Sequence, residues 1–262
     1  MYSNAFGADP NFLSTSVLGL RIDATTYPDA VSRIMSWANR EESRAVSAAN
    51  VHVVMEAHDA PEFQKLVNAC DLVTADGMPL VWFLRRTGIR NATRVYGPDL
   101  TLHLLEAAGK SRTPVGFYGG STSALRALVE TVNRRFPSVP VVFSYSPPFR
   151  ALSPEEDAAI VRVIGRSGAR ILFVGLGCPK QEEWISQHRG VIPAVMLGVG
   201  AAFDFLSGAK MQAPKWMQRN GLEWIFRLAS EPRRLIWRYV RHNPRFLYLA
   251  TRQLLQQRIA LG

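Results

Sequence analysis

An α/β fold, with a mostly parallel sheet covered by helices and a basic helical appendage at the C-terminus, is predicted by three observations. Short apolar runs of strand length alternate with longer stretches at helical spacing, and Gly, Pro or Ser repeatedly marks the handover. The alternation stops near Lys210, where the charge balance also changes. The 262 residues, 47% of them apolar, suffice for one substantial core with a small second unit. The expected division is therefore a body over residues 1–209 and an appendage over 210–262.

In chain order the expected strands are 17–22, 44–48, 72–74, 115–118, 141–145, 171–174 and 194–198, each a short apolar run bounded by turn residues. The expected helices are 28–40, 51–69, 79–87, 98–109, 122–136, 154–167, 180–188 and 201–206. Pro28, Pro154 and Pro179 fall at or near a first helical turn, where the missing N–H has no partner to lose. Ser153 with Glu156 has the spacing of a capping box. In the appendage Pro232 and Pro244 predict three short helices, 215–231, 233–242 and 245–260, with Asn243 as a cap for the last. No internal repeat or low-complexity segment occurs.

Residues 210–262 hold 11 Lys or Arg against Glu223 and Glu231, a net charge of +9 in a chain whose total is +10. A near-neutral body with a cationic appendage implies a polyanionic partner. Trp216, Trp224, Phe226, Trp237, Tyr239, Phe246 and Tyr248 are interleaved with the cations. Aromatic rings at a bilayer boundary and long cations reaching phosphates favour an anionic membrane surface. The competing readings are a helical subdomain packed on the body with merely solvated cations, and a nucleic-acid tail. No run of about 18 apolar residues could span a bilayer. Residues 1–16 lack the basic and apolar regions of a signal peptide, so residence in the cytosol is expected. Cys70 and Cys178 form no Cys-x-x-Cys pair and are expected to be reduced.

Ligands of open parallel sheets bind beyond the carboxyl ends of the strands. Three glycine-rich turns fall there: Gly119-Gly120-Ser121, then Gly175-Leu176-Gly177-Cys178-Pro179-Lys180-Gln181-Glu182, then Gly198-Val199-Gly200 leading to Asp204. Together they suggest backbone approach to a phosphorylated ligand, although glycine there also serves turn geometry alone. None completes Gly-x-Gly-x-x-Gly, so the sheet is expected to be Rossmann-like without the dinucleotide fingerprint, and no P-loop motif is present. The five histidines show neither His-x-x-x-His nor His-x-His spacing and no Asp-x-Asp occurs, so no metal ligands are assigned. Asp76, where an apolar strand opens into a turn, is placed either as a general base facing a pocket or as a cap for the helix near Pro79. Asn50 has the same choice between N-cap and ligand contact. Asp204 reads as a structural hydrogen-bonding group or a catalytic one. Arg94 is a candidate for neutralising a diphosphate without metal, against the alternative of a solvated cation.

These segments resemble the WecG/TagA/CpsF family, glycosyltransferase family 26, over about residues 15–245. The specific pieces are Thr74-Ala75-Asp76-Gly77-Met78-Pro79, Arg94-Val95-Tyr96-Gly97-Pro98-Asp99, the three glycine-rich turns with Trp184, and Ala213-Pro214-Lys215-Trp216 leading to Gly221-Leu222-Glu223-Trp224. The stretch carrying Arg227, Glu231, Arg234, Arg238 and Tyr239 fits the family's C-terminal appendage.

The resemblance implies a metal-independent, inverting transfer of a sugar from a UDP-sugar to a polyprenyl-diphosphate-linked sugar at the cytoplasmic face of the membrane, with no cofactor. Asp76 falls on the family's proposed general base. Arg94 and Gln181 match positions implicated in binding donor or acceptor, and Arg227, Arg234 and Arg238 are candidates for diphosphate and membrane contacts. Asn50, Thr74, Gly77, Gly97, Asp99, Gly119, Gly120, Ser121, Gly175, Gly177, Lys180, Gly200 and Asp204 complete the expected substrate-binding set. Where the family commonly has Thr-x-Asn, this chain reads Ala48-Ala49-Asn50, and strand alternation points Ser47 the other way. An N-acetylmannosamine donor and a glucose or other hexose donor are thus equally tenable. A noncatalytic UDP-sugar-binding or membrane-docked assembly subunit is the alternative, and the sequence leaves homo-oligomerisation open. Nucleic acid is disfavoured, because a scaffold for a basic tail would not need such motifs at its ligand loops.

Overall fold

The computed structural model describes residues 13–259. Eight strands form one mixed sheet in the order β1-β2-β4-β3-β8-β7-β5-β6. They are β1 Ser14–Val17, β2 Leu20–Asp23, β3 Arg44–Ala49, β4 Leu72–Ala75, β5 Val115–Gly119, β6 Val141–Tyr145, β7 Ile171–Gly175 and β8 Val195–Gly198. Only β1 and β2 pair antiparallel; the other pairings are parallel. The expected single strand at 17–22 is therefore corrected to the middle of a hairpin. Leu18 and Gly19 take φ of 52° and 90°, which reverses the chain after Val17.

The helices of the body are α1 Tyr27–Asn39, α2 Val51–Asp59, α3 Pro61–Asn68, α4 Met78–Arg86, α5 Gly97–Ser111, α6 Thr122–Arg135, α7 Pro154–Ser167, α8 Lys180–His188 and α9 Ala202–Leu206. The expected helix 51–69 is two helices, because Pro61 starts a new first turn and Ala60 before it is extended. Ser153 and Glu156 form the anticipated capping box on α7.

Alternation along the strands builds a core on each face. Ala45, Ala49, Val73, Ala75, Leu172, Val174 and Met196 pack with α2, α3, α4 and α8. Val46, Leu72, Phe117, Phe173, Val195 and Leu197 pack with α1, α5, α6 and α9. Neighbouring strands β3 and β8 therefore send their following helices, α2 and α9, to opposite faces. The helices diverge at the carboxyl ends of these strands, the place where an open α/β sheet binds its ligand.

The appendage consists of α10 Lys215–Arg219, α11 Glu223–Ser230 and α12 Pro232–Ile259. The expected 215–231 helix is broken at Gly221, whose φ of 69° suits glycine and brings it against the Trp82 ring. The helices expected at 233–242 and 245–260 are one continuous element with Pro244 and Asn243 inside it, so Asn243 caps nothing; residue 260 lies outside the described residues. Proline removes one backbone bond from a helix interior. Burial of Leu235 on one side of it and of Phe246 and Ala250 on the other offsets that loss. Phe246 and Ala250 share their core with Val53 and Val54 of α2. Gln253 adds hydrogen bonds to the Ser16 carbonyl and the Leu18 N–H. Among the described residues no helix is long and apolar enough to cross a membrane.

Candidate active site

Asp76 follows the last residue of β4, and its backbone N–H donates to the Ala49 carbonyl at 2.8 Å, which ties the β4 end to the neighbouring β3 end. Gly77, not Asp76, is the N-cap of α4, so the Asp76 carboxylate is not consumed as a cap. It is buried, and its Oδ1 has no hydrogen-bond partner. Burial pushes its pKa from 3.8 up to about 7; the Glu223 carboxylate pushes the same way, while Arg94, Arg227 and a hydrogen bond with Asn50 oppose it. A carboxyl with proton affinity near neutrality at a strand's carboxyl end can accept a proton from a hydroxyl.

Of the two roles offered by its position, Asn50 takes the N-cap. Its Oδ1 accepts from the N–H groups of His52 and Val53 and so caps α2, while its side chain also bonds Asp76. Ala48 lies 3.4 Å from the point where a side chain on Gly97 would begin. Ser47 is buried with its hydroxyl unpaired.

Arg94 is held in place from three sides. Its Nε donates to the Asp76 carbonyl, its Nη2 meets Glu223 Oε2 at 2.6 Å, and its guanidinium sits 4.0 Å over the Tyr96 ring. The same Nη2 is 3.8 Å from Asp76 Oδ1. Glu223 also accepts from the Tyr96 hydroxyl at 2.9 Å, so one α11 carboxylate joins the appendage to the site. Thr74 is fully buried and donates to the Val95 carbonyl, anchoring this loop to β4. Gly97 begins α5 against Val199 and Ala48, and Asp99 in its first turn pairs with Lys215 at 3.1 Å.

Arg227 and Arg238 lie close enough to repel each other. Arg238 is held below the usual arginine range by burial and by the charges of Arg234 and Arg227. Among the described residues neither Arg227 nor Arg238 forms a salt bridge with a carboxylate. Arg227 also faces Asp76, Glu223, Tyr96 and Tyr239. Two half-buried guanidiniums without a carboxylate salt bridge therefore lie together, with Arg227 close enough to act on the Asp76 carboxyl. Arg234 is more exposed and pairs with Glu231, which Lys210 also engages at 2.9 Å; Lys210 in turn pairs with Asp204. Asp204 thus fastens α9 to the start of the appendage.

The glycine-rich turns have a packing explanation. A side chain on Gly119 would begin 2.6 Å from the Gly175 backbone, and one on Gly175 would begin 2.8 Å from the Phe203 ring; Gly120 also borders that ring. Ser121 caps α6 by accepting from the Ala124 N–H. Gly177 has a φ of 81° with open space around it, and its N–H donates to Gln181 Oε1 at 3.2 Å. Gln181 is buried, donates to Glu182 Oε1 at 2.9 Å and packs against Gly198 and Gly200, bracing the β7 and β8 ends. Lys180, the first residue of α8, is exposed.

The structure brings Asn50, Asp76, Gly77, Arg94, Gly97 and Arg227 together at the carboxyl ends of β3 and β4. Glu223 joins them although the sequence reading passed over it. Its signal was that only two acidic residues occur in the cationic appendage. Because its charge favours the protonated form of Asp76, Glu223→Gln is expected to lower the Asp76 pKa. Carbon NMR titration of labelled aspartate would read the shift, and an unchanged or raised value would contradict the contact.

Comparison with protein families matches residues 15–260 to the "Glycosyl transferase WecG/TagA/CpsF family".

Proposed function

Because the chain belongs to the WecG/TagA/CpsF family of glycosyl transferases, whose activity serves cell-surface polysaccharide biosynthesis, we propose that it moves a hexose or N-acetylhexosamine from a UDP-sugar to a polyprenyl-diphosphate-linked sugar. The observation that carries this reading is the juxtaposition of a buried carboxyl of raised proton affinity, Asp76, with Arg227, which has no carboxylate salt bridge and has Arg238 as its neighbour. Asp76 takes the proton of the acceptor hydroxyl as that oxygen attacks the anomeric carbon opposite the UDP. Displacement from the far face inverts the anomeric centre. Arg94, Arg227 and Arg238 balance diphosphate charge, a task that other transferases give to Mg²⁺ or Mn²⁺. The α5 N-terminus at Gly97, which no side chain caps, adds its positive end beside Ala48 and Val199.

The exposed face of the appendage supports docking at the cytoplasmic face of an anionic membrane. Trp237, Val240, Leu247 and Tyr248 of α12 are exposed, as are Trp216 on α10 and Ile225 on α11. Such rings and aliphatic groups suit the headgroup boundary, where the neighbouring cations meet phosphates.

Incubation with a panel of UDP-sugars and polyprenyl-diphosphate-linked sugars, without added Mg²⁺ or Mn²⁺, is expected to give a lipid product heavier by one hexose or N-acetylhexosamine. No product across the panel, with UDP still bound, would favour the noncatalytic subunit.

A further inference from the structure

His52 and Glu56 share one face of α2, four residues apart, and His242 of α12 closes on them. Glu56 Oε1 is 3.6 Å from His52 Nδ1 and 3.3 Å from His242 Nε2. One ligand atom from each of the three residues lies within 4.8 Å of the other two. Ligands held at about 2.0–2.1 Å by a common tetrahedral ion stand about 3.3 Å apart. Two edges of such a site are therefore close to the required length, and the third is no longer than 4.8 Å. His242 is only 4% exposed, and His52 Nδ1, the ring atom that faces Glu56, is buried with no hydrogen-bond partner. A buried ring nitrogen ordinarily has a partner, so an unpartnered one beside a carboxylate and a second imidazole calls for a ligand.

We propose that His52, Glu56 and His242 bind one divalent transition-metal ion of the Zn²⁺ type, which staples α12 to α2. Two imidazoles and one carboxylate suit Zn²⁺ and similar ions, whereas Mg²⁺ and Ca²⁺ favour sites made mainly of oxygens. Three protein ligands leave a fourth position for water. The Arg238 and Arg227 charges act on His52, so the Glu56 carboxylate is needed to offset the ion. The staple has a purpose in this fold: α2 begins at Asn50, which bonds Asp76, and α12 carries Arg238. The ion fixes the distance between these two parts of the site and takes no part in the transfer. Sequence spacing hid the set, because its third member lies in the appendage and the pair on α2 is His and Glu.

The test uses the full chain, stripped with a chelator, supplied with Zn²⁺ and desalted. About one Zn²⁺ per chain is expected to remain, with a higher melting temperature and, after Co²⁺ replacement, the visible absorption of a tetrahedral site. Glu56→Gln and His242→Asn are each expected to weaken Zn²⁺ binding at least about tenfold, since changes to groups behind the ligands alone cost that much. Near-ultraviolet circular dichroism checks that each variant is folded; Glu56, at the rim, serves if His242→Asn is not. Folded wild-type protein that retains no Zn²⁺, or binding undiminished in the folded Glu56→Gln protein, would overturn the proposal.

Discussion

Asp76→Asn is expected to lower kcat by about 10²-fold or more while UDP affinity stays within about twofold, because a positioned general base contributes on that scale. The amide keeps the shape and the Asn50 contact but cannot accept the acceptor proton. The wild-type enzyme should also lose activity as pH falls through about 7, where burial has moved the Asp76 pKa from 3.8. Only the ionised carboxylate is the base, so activity rises with pH through that value, and this limb should vanish in the residual activity of the variant. Stability has the opposite slope. The native state binds the proton more tightly than the unfolded chain, so ionising Asp76 costs folding free energy as pH rises between these two values. The asparagine protein, which never ionises there, should melt no lower than wild type at pH 8. Near-normal turnover in Asp76→Asn would remove the carboxylate from the mechanism.

Paired replacement of Trp237 and Tyr248 by Glu is expected to reduce partitioning onto phosphatidylglycerol-containing vesicles by about tenfold or more. Full burial of a large apolar side chain is worth about 1.5–3 kcal/mol, and each new carboxylate is repelled by the anionic surface. Both side chains are largely exposed, so the fold should survive. Removing the appendage would be a poorer test, because Phe246 and Ala250 share a core with α2 and deletion would open it. Turnover on the lipid-linked acceptor should fall in parallel, with UDP affinity held. Flotation with vesicles at the wild-type level would separate this face from membrane docking.

The parallel sheet and most of its helices were legible because apolar alternation, proline positions and caps all report local structure. The hairpin at Leu18 and Gly19 was not, since a two-residue reversal inside an apolar run leaves the hydrophobic pattern unchanged. Pro244 misled for a related reason: proline disfavours a helix interior locally, but burial of Phe246 and Ala250 decides the outcome at a distance. Within the site, Asp76 was found because it ends a strand in a distinctive turn. Its raised pKa could not be read, because it depends on burial and on Glu223, brought in from the appendage. The glycines at 119 and 175 were correctly placed at strand ends, but the Phe203 ring and the close approach of backbones explain them without a phosphate.

The most direct measurement is the anomeric configuration of the newly added sugar, read from proton and carbon couplings in lipid-linked product made from an α-configured UDP-sugar without added Mg²⁺ or Mn²⁺. Displacement by an oxygen deprotonated at Asp76 predicts a β linkage in the wild-type product. An α linkage, or transfer that starts only when Mg²⁺ or Mn²⁺ is supplied, would contradict a single metal-free displacement at this site.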